Sequence, residues 1–579
     1  MAGLAVLALL LAAALVAWLA PRPFDGWRRT LESVLRRPWP ARRWVPALAL
    51  AALLGQAATA LVVGVPKPQL HDEFSYLLAA DTFVHGRLTN PTHPLWRHFE
   101  TFHVLVQPTY ASKYPPAQGL ALALGQRLGH PVLGVWLTGT AFVAAAAWML
   151  LAWLPPPWAR LGALLVTFTL VVASPWSDGY SRGFVAAAGG ALALGGAARL
   201  LRGVRAGDAA ALAAGILVLA ASRPWEGLVL TATTVGPVFV RAARDGPWRR
   251  ALLIRALPTA LLVLALGGGW LAYYQWRVTG SPWTMPYRLY DQRYASVPVF
   301  LWRPLRAVAP SPHPVIAAFF RDFEGAEWRR QHTLAGWLAA ARGKSLLLAS
   351  FYFGVPLALA LAGLPWALRR RGPQWAIAVL LALLASQLVI LPSHPHYVAP
   401  GACLAAYLAV ESLRELRLWR RRGASGVGAR LAAAVPLVVF LMLPVRLLAL
   451  RHDPAEWHFH RAALERRLAA LPNKQLVLVS YSAAHDARAE WVYDGADLTG
   501  TRVLWARAMT RAEDCQLIAH ERGREAWLLE VVDDVSPPRL APYPACAGAG
   551  TAMADPAPKT SRLPSIRQGS PSSRRSASG

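Results

Sequence analysis

The chain is 579 residues long, with 55% hydrophobic and only 16% charged residues; soluble domains carry about a quarter charged residues, so an ordinary soluble protein is excluded. Its formal net charge of +29 does not point to nucleic acid, because a nucleic-acid surface gathers its cations on one groove or helix face, interleaved with aromatics. Here the arginines stand in short clusters between apolar runs, as they do at the cytoplasmic ends of membrane spans.

The first apolar run covers residues 2–20. It has no basic n-region and is followed by Arg28, Arg29, Arg36, Arg37, Arg42 and Arg43, so it reads as a retained span with its N-terminus outside, not as a cleaved signal. Residues 44–65 lead outward to a first external loop over 66–130, and 132–154 return to Arg160. The runs 161–174, 183–200, 210–221 and 228–240 alternate across the membrane, the last landing on Arg241, Arg244, Arg249 and Arg250. The last pair is short enough for a re-entrant hairpin. Residues 257–273 lead to a second external loop over 275–344, and 346–364, 375–391, 399–410 and 431–450 follow. The total is about twelve spans, with every arginine cluster inside. Several runs reach about 18–22 residues, enough for roughly 30 Å of hydrocarbon. They are continuous rather than alternating, hence helices and not barrel strands.

Beyond residue 451 the character changes. Residues 455–471 read as an amphipathic helix and 475–480, 503–506 and 526–531 as strands, together a small α/β domain. The Pro-, Ser- and Arg-rich residues 551–579 read as a disordered tail. The expected fold class is therefore an all-α polytopic membrane protein with a small extracytoplasmic α/β domain. Its parts are an extra N-terminal span and basic loop (1–43), a membrane domain (44–450), the α/β domain (451–550) and the tail (551–579).

Candidate chemistry gathers in the external loops. The first opens QLHDEFSYLL, placing His71, Asp72, Glu73 and Tyr76 at the start of a helix just beyond a span. Acids in a first turn cap a helix and suit its dipole, and such a cap is also a rigid mount for a carboxylate. Further on, ASKYPPAQGL sets Lys113 and Tyr114 before Pro115 and Pro116, whose rings stiffen the turn; a lysine there meets a phosphate or snorkels. Asp178 and Arg182 occupy the turn SDGYSRG, Arg223 and Glu226 the turn SRPWEG, and His394, His396 and Tyr397 the turn HPHYVAP. As solvated turn residues, Asp178 and Arg182 need no role. His85, His93, His98 and His103 crowd the first loop at a spacing that matches no zinc signature; a divalent metal stays open.

An outward span ending in an Asp-Glu pair, a long loop of interfacial helices and a Lys-x-Pro-Pro turn resemble the GT-C glycosyltransferases, in their protein O-mannosyltransferase and aminoarabinose-transferase branch. The resemblance covers roughly residues 44–415. It implies an enzyme of the plasma (inner) membrane that takes a sugar from a polyprenyl-phosphate lipid and passes it, at the external face, to a lipid, glycan or protein acceptor. It implies a catalytic Asp72 with Glu73 beside it, and a Lys-x-Pro-Pro region at Lys113 and Tyr114. Arg223 stands where the family has a basic Lys-Gly-Pro turn, with Glu226 as an extra carboxylate, and His396 and Tyr397 stand at a late aromatic-x-x-Pro turn. Such a transfer needs a base at the acceptor and cations at the leaving phosphate. Asp72 suits the first role, and Lys113, Arg223 and Arg182 the second. Two other readings share the architecture, a transporter or lipid flippase and a non-catalytic envelope scaffold. Transporters place ionisable residues near the bilayer midplane, whereas these span centres are almost free of charge. A scaffold would not need the Asp-Glu and Lys-Tyr-Pro-Pro constellation.

Overall fold

The computed structural model describes residues 21–307, 311–418, 427–533 and 536–546. The expected first span (2–20) and the tail (551–579) lie outside them. The chain opens with α1 (Pro21–Arg36) and α2 (Ala41–Val63). The first loop carries α3 (His71–Val84), the two-residue strands β1 (Val104–Leu105) and β2 (Ala111–Ser112), and α4 (Pro116–Arg127). The bundle continues with α5 (Pro131–Trp153), α6 (Pro156–Val166, prolonged by a π-helical turn to Val171), α7 (Phe184–Leu200), α8 (Ala206–Ala220), α9 (Pro224–Arg244) and α10 (Gly246–Thr279). The second loop holds α11 (Pro286–Tyr294). Then come α12 (Leu334–Tyr352), α13 (Arg371–Leu388), α14 (Ala402–Leu418) and α15 (Gly428–Ala449).

The protein is thus mostly helical and multi-pass. Among the described residues α2, α5, α10 and α15 are each long and apolar enough to cross a membrane. A fifth candidate, Leu334–Tyr352 with Leu357–Ala367, is bent by 91°. Residues Pro156–Val171, Phe184–Leu200 and Ala206–Ala220 form shorter apolar helices. The helices that count as full spans by length are therefore fewer than the apolar runs of the sequence. Close packing brings the late turn to the bundle: a Cβ at Gly190 of α7 would collide with the carbonyl oxygen of Pro400, so only glycine lets α7 and the HPHYVAP turn touch.

The C-terminal helix and strands appear where the alternation of the sequence put them, as α16 (Trp457–Ala469), β3 (Lys474–Tyr481), β4 (Val503–Arg507) and β5 (Arg524–Val531). The sheet gains α17 (Arg511–His520) and an edge strand β6 (Arg539–Pro542). Strand order is β4-β3-β5-β6, parallel except for the antiparallel β6. Successive side chains alternate between faces. Val477, Val479, Val503 and Trp505 pack beside Leu468 of α16. Leu476, Leu478, Leu504 and Ala506 pack instead on Phe74, Leu78, Phe99, Val104 and Val106 of the first loop. The loop is therefore the second cover of the sheet, and these elements all belong to one compact unit that ends at Tyr543.

Polar ties reinforce this seam. Arg507, 2% exposed, forms an ion pair with fully buried Glu490, donates from Nε to the carbonyl of Glu100 at 2.6 Å, and accepts at its own carbonyl from His98 Nδ1 at 2.9 Å. The Tyr493 hydroxyl donates to the carbonyl of Phe102 at 3.2 Å. Breaking a buried pair by removing one partner costs about 3–5 kcal/mol, whereas replacing both by apolar groups is close to neutral. Glu490→Gln is therefore expected to lower the Tm of the full-length protein in detergent sharply, and Glu490→Met with Arg507→Met to recover much of it. An unchanged Tm in the single variant would contradict this role.

Candidate active site

The pair Asp72-Glu73 falls in the first turn of α3, whose N-cap is Leu70. Adjacent helix residues point about 100° apart, and the two acids part company. Glu73 is 1% exposed. Its Oε2 accepts from the backbone N–H of Gln69 at 2.9 Å and of Leu70 at 3.3 Å, and its Oε1 from the N–H of Tyr180 at 2.9 Å. Arg182 approaches Oε1 to 3.7 Å. Glu73 is thus the helix cap and the clasp of the 178–182 turn.

Asp72 turns instead toward His103 and Tyr114. Oδ1 lies 2.6 Å from Nδ1 of His103 and accepts the hydroxyl proton of Tyr114; that hydroxyl is itself 3.0 Å from the same Nδ1. Among the described residues Oδ2 accepts no hydrogen bond. Burial pushes the carboxyl pKa up, but the His103 imidazole, the hydrogen bonds from His103 and Tyr114, and the Lys113 ammonium outweigh it and hold Asp72 well below the usual carboxylate range. Burial, then Lys113, lower the pKa of His103 despite the carboxylate, and its Nδ1 carries the proton of the 2.6 Å contact with Asp72.

His103 has φ 64, a left-handed backbone that a residue with a side chain adopts at a cost. It is pinned from both sides. Its N–H donates to the Tyr290 hydroxyl at 3.0 Å, and its carbonyl accepts from Ser75 Oγ at 2.6 Å and from the Lys113 N–H at 3.1 Å.

Fixed positive charge stands opposite. Arg223, the N-cap residue of α9, lays its guanidinium 4.5 Å from the ring centre of Tyr397, a cation–π contact. Among the described residues no carboxylate lies within ion-pair distance of it. Asp72 and Tyr76 are within its electrostatic reach. His394 and His396 in turn feel Arg223, Arg182 and Asp72. His396 is 5% exposed with an unpartnered Nε2, and its pKa is held well below the usual value by burial, then by Arg223, His394 and Arg182. The structure therefore gathers Asp72, Tyr114, Arg182, Arg223, His396 and Tyr397 from five segments far apart in sequence. Lys113 joins them, its ammonium 4.6 Å from the Tyr290 ring centre and 5.4 Å from that of Tyr114.

Two expected residues are engaged elsewhere. Asp178 accepts from Nε2 of His452 at 3.1 Å, joining its turn to the segment after α15. Glu226, 5% exposed, accepts from Gln387 Nε2 at 3.2 Å and ties α9 to α13. Conversely, Asp291 of α11 and Glu324 of the second loop, both within electrostatic reach of Lys113, carry no sequence signal that separates them from the polar residues around them. His103 stood out only as one histidine among four.

Those four histidines scatter. His85 lies 3.6 Å from Asp81, and His98 bonds to the Arg507 carbonyl. His93 meets His520 and Glu521, whose ligand atoms lie within 4.8 Å of one another. Nδ1 of His93 accepts from the Leu95 N–H at 3.0 Å, so Nε2 carries the proton that goes to Glu521 at 3.2 Å. These three side chains could offer ligands to a metal ion, and none of them belongs to the Asp72 cluster.

No protein-family model matches the chain, and no curated protein sequence matches it. Among solved structures it is similar to ArnT from Cupriavidus metallidurans, in the apo state and bound to undecaprenyl phosphate. The identities are 16% and 15%, both with a TM-score of 0.47, over 85% of this chain and 93% of that one. It is also similar to the Archaeoglobus fulgidus oligosaccharyltransferase crystallised with Zn and sulfate, at 10% identity and a TM-score of 0.48, over 83% of this chain and 67% of that one. With TM-scores below 0.5 the likeness is one of outline, and the functional reading rests on the residues themselves.

Glu324 supplies a pH test. Burial, opposed by Lys113 and assisted by Asp291, raises its pKa to about 7. A carboxyl raised above its unfolded value of about 4.3 contributes stability that is full below that value and lost as pH rises through about 7. The Tm of the wild type should therefore fall between pH 5 and pH 8 by more than that of Glu324→Gln. Identical slopes would remove the effect.

Proposed function

We propose that this chain is an integral membrane glycosyltransferase of GT-C type, moving a sugar from a polyprenyl-phosphate lipid to an acceptor at the extracytoplasmic face. The observation that carries this reading is one carboxylate, Asp72, whose Oδ2 accepts no hydrogen bond among the described residues, within electrostatic reach of a guanidinium, Arg223, that forms no ion pair among them. A carboxylate held by two donors and fixed cations near it suit a reaction that passes a proton one way and develops phosphate charge the other.

In the proposed step the acceptor hydroxyl oxygen forms a bond to the anomeric carbon while the bond from that carbon to the phosphate oxygen breaks. The hydroxyl proton passes to Oδ2 of Asp72, and the electron pair leaves with the polyprenyl phosphate. A carboxylate as acidic as Asp72 is a weak base at rest, and the hydroxyl proton becomes transferable only as the new bond forms and oxygen gains positive charge. Tyr114 and His103 hold Oδ1 and so aim Oδ2. Arg223, Arg182 and Lys113 stabilise the departing phosphate from fixed positions, more strongly in a water-poor cleft than in bulk. His396 and Tyr397 line the same cleft, Tyr397 by stacking under Arg223. Glu73, Asp178 and Glu226 serve as positioning residues for the turns that carry the cations.

The wider reading is a plasma-membrane protein of about twelve spans, organised as 1–43, 44–450, 451–550 and 551–579. The loops 66–130 and 275–344 and the α/β region lie together on the extracytoplasmic side. The shared core of the first loop and the sheet supports a common side, since they cannot be parted by a bilayer. His85→Cys and Thr499→Cys, each at an exposed position, are both expected to react with an impermeant maleimide in intact cells; Cys403 is buried and stays silent. Labelling at neither position would place this face in the cytoplasm.

Asp72→Asn keeps size and helix-capping ability while removing the base. It is expected to reach the membrane at normal levels and to transfer sugar from a polyprenyl-phosphate donor about 10²-fold more slowly or worse, the usual scale for losing a positioned base. Transfer at the wild-type rate by the purified variant would remove Asp72 from the mechanism.

A further inference from the structure

At the arginine-rich end of the bundle, α1 is strapped across the others and pinned at both ends. Near its start Trp27 Nε1 donates to the carbonyl of Ala433 in α15 at 3.2 Å. Past its end Arg160 donates to the carbonyls of Leu35 at 2.8 Å and Trp39 at 2.7 Å, and also to that of Arg37. Between these anchors the strap does not close on the bundle. It spans a cavity of about 390 Å³, within the range of sites that hold small amphiphiles.

The walls and rim of this space differ in chemistry. Leu31, Leu35, Trp158 and Leu161 give it apolar walls. At the rim Glu32 is shared among three guanidiniums, Arg417 at 2.9 Å, Arg28 at 3.5 Å and Arg36 at 4.0 Å, and the lining holds these three arginines against that one carboxylate. On the outer side Val34 and Trp39 are each 52% exposed, as on a helix that lies in the plane of a membrane interface. An apolar slot under an interfacial helix, rimmed by excess arginine, is complementary to a ligand with hydrocarbon at one end and a phosphodiester at the other.

We propose that this cavity binds one anionic phospholipid, its acyl chain against Leu31, Leu35 and Trp158 and its phosphate on Arg28 and Arg36. The site lies apart from Asp72 and does not depend on the activity proposed above.

Native mass spectrometry of the full-length protein in detergent, with phosphatidylglycerol or phosphatidylcholine added, tests it. Phosphatidylglycerol should be retained about tenfold or more over phosphatidylcholine, in line with two arginines at a phosphate. Arg28→Gln with Arg36→Gln should bring the two lipids level. Glu32→Gln, which withdraws the competing carboxylate, should raise phosphatidylglycerol retention. Equal retention of the two lipids by the wild type, an unchanged preference in the double arginine variant, or displacement of the lipid by inorganic phosphate alone would each overturn the proposal. If the double variant does not fold, a Glu32→Gln protein with no gain in retention overturns it equally.

Discussion

A sheet with two apolar faces has to be covered on both, and here the second cover is the first loop, which follows α2. β3, at the centre of the sheet, sends Val477 and Val479 toward α16 and Leu476 and Leu478 toward Phe74, Leu78 and Phe99. The loop has little of its own to hold it, since β1 and β2 are two residues each, far short of an independently stable hairpin. Its order comes from the sheet. Val104, 2% exposed, belongs to the core shared with the sheet, while fully buried Phe102 packs with Tyr274, Tyr290 and Phe320, and His103 sits between them. A backbone at φ 64 is affordable there because both neighbours are fixed. The partner of Asp72 is thus placed by two cores that contain no catalytic residue.

The acid pair divides two kinds of work between adjacent positions. Glu73 gives both oxygens to backbone N–H groups, which fixes the start of α3 and with it the direction of Asp72. Asp72 gives one oxygen to side chains and keeps the other free. The order of the two residues decides the roles, because the N3 position of a helix reaches back to the N-cap backbone while the N2 side chain points elsewhere. Exchanging them would aim the freer carboxylate into the wall that Glu73 occupies.

Charge is distributed by the same logic at both ends of the molecule. At the end that holds Asp72, Arg223 rests on an aromatic face rather than in an ion pair, so its field needs no reorganisation to meet an anion. At the opposite end three arginines share Glu32, which leaves a milder excess beside apolar walls. The first arrangement suits a group whose charge changes during a reaction, and the second a group that stays.

Much of the fold was legible in the sequence. Continuous apolar runs bounded by arginine marked the helical bundle, and short apolar runs after residue 473 marked β3, β4 and β5. The candidate carboxylate was legible as well, because Asp72 begins a helix directly after a span. Other features were not, for physical reasons. Which of Asp72 and Glu73 is the cap depends on where the Gln69, Leu70 and Tyr180 N–H groups point. His103 could not be separated from His85, His93 and His98 until its backbone was seen pinned beside Asp72, and Asp291 and Glu324 become neighbours of Lys113 only when the second loop folds over the first. The roles of Asp178 and Glu226 were decided by His452 and Gln387, more than 150 residues away. The sequence by itself determined which stretches are apolar helix and which are polar, since hydrophobic length and charge are local properties. Only the tertiary structure decided which polar groups meet, since burial and pairing belong to segments that approach from opposite ends of the chain.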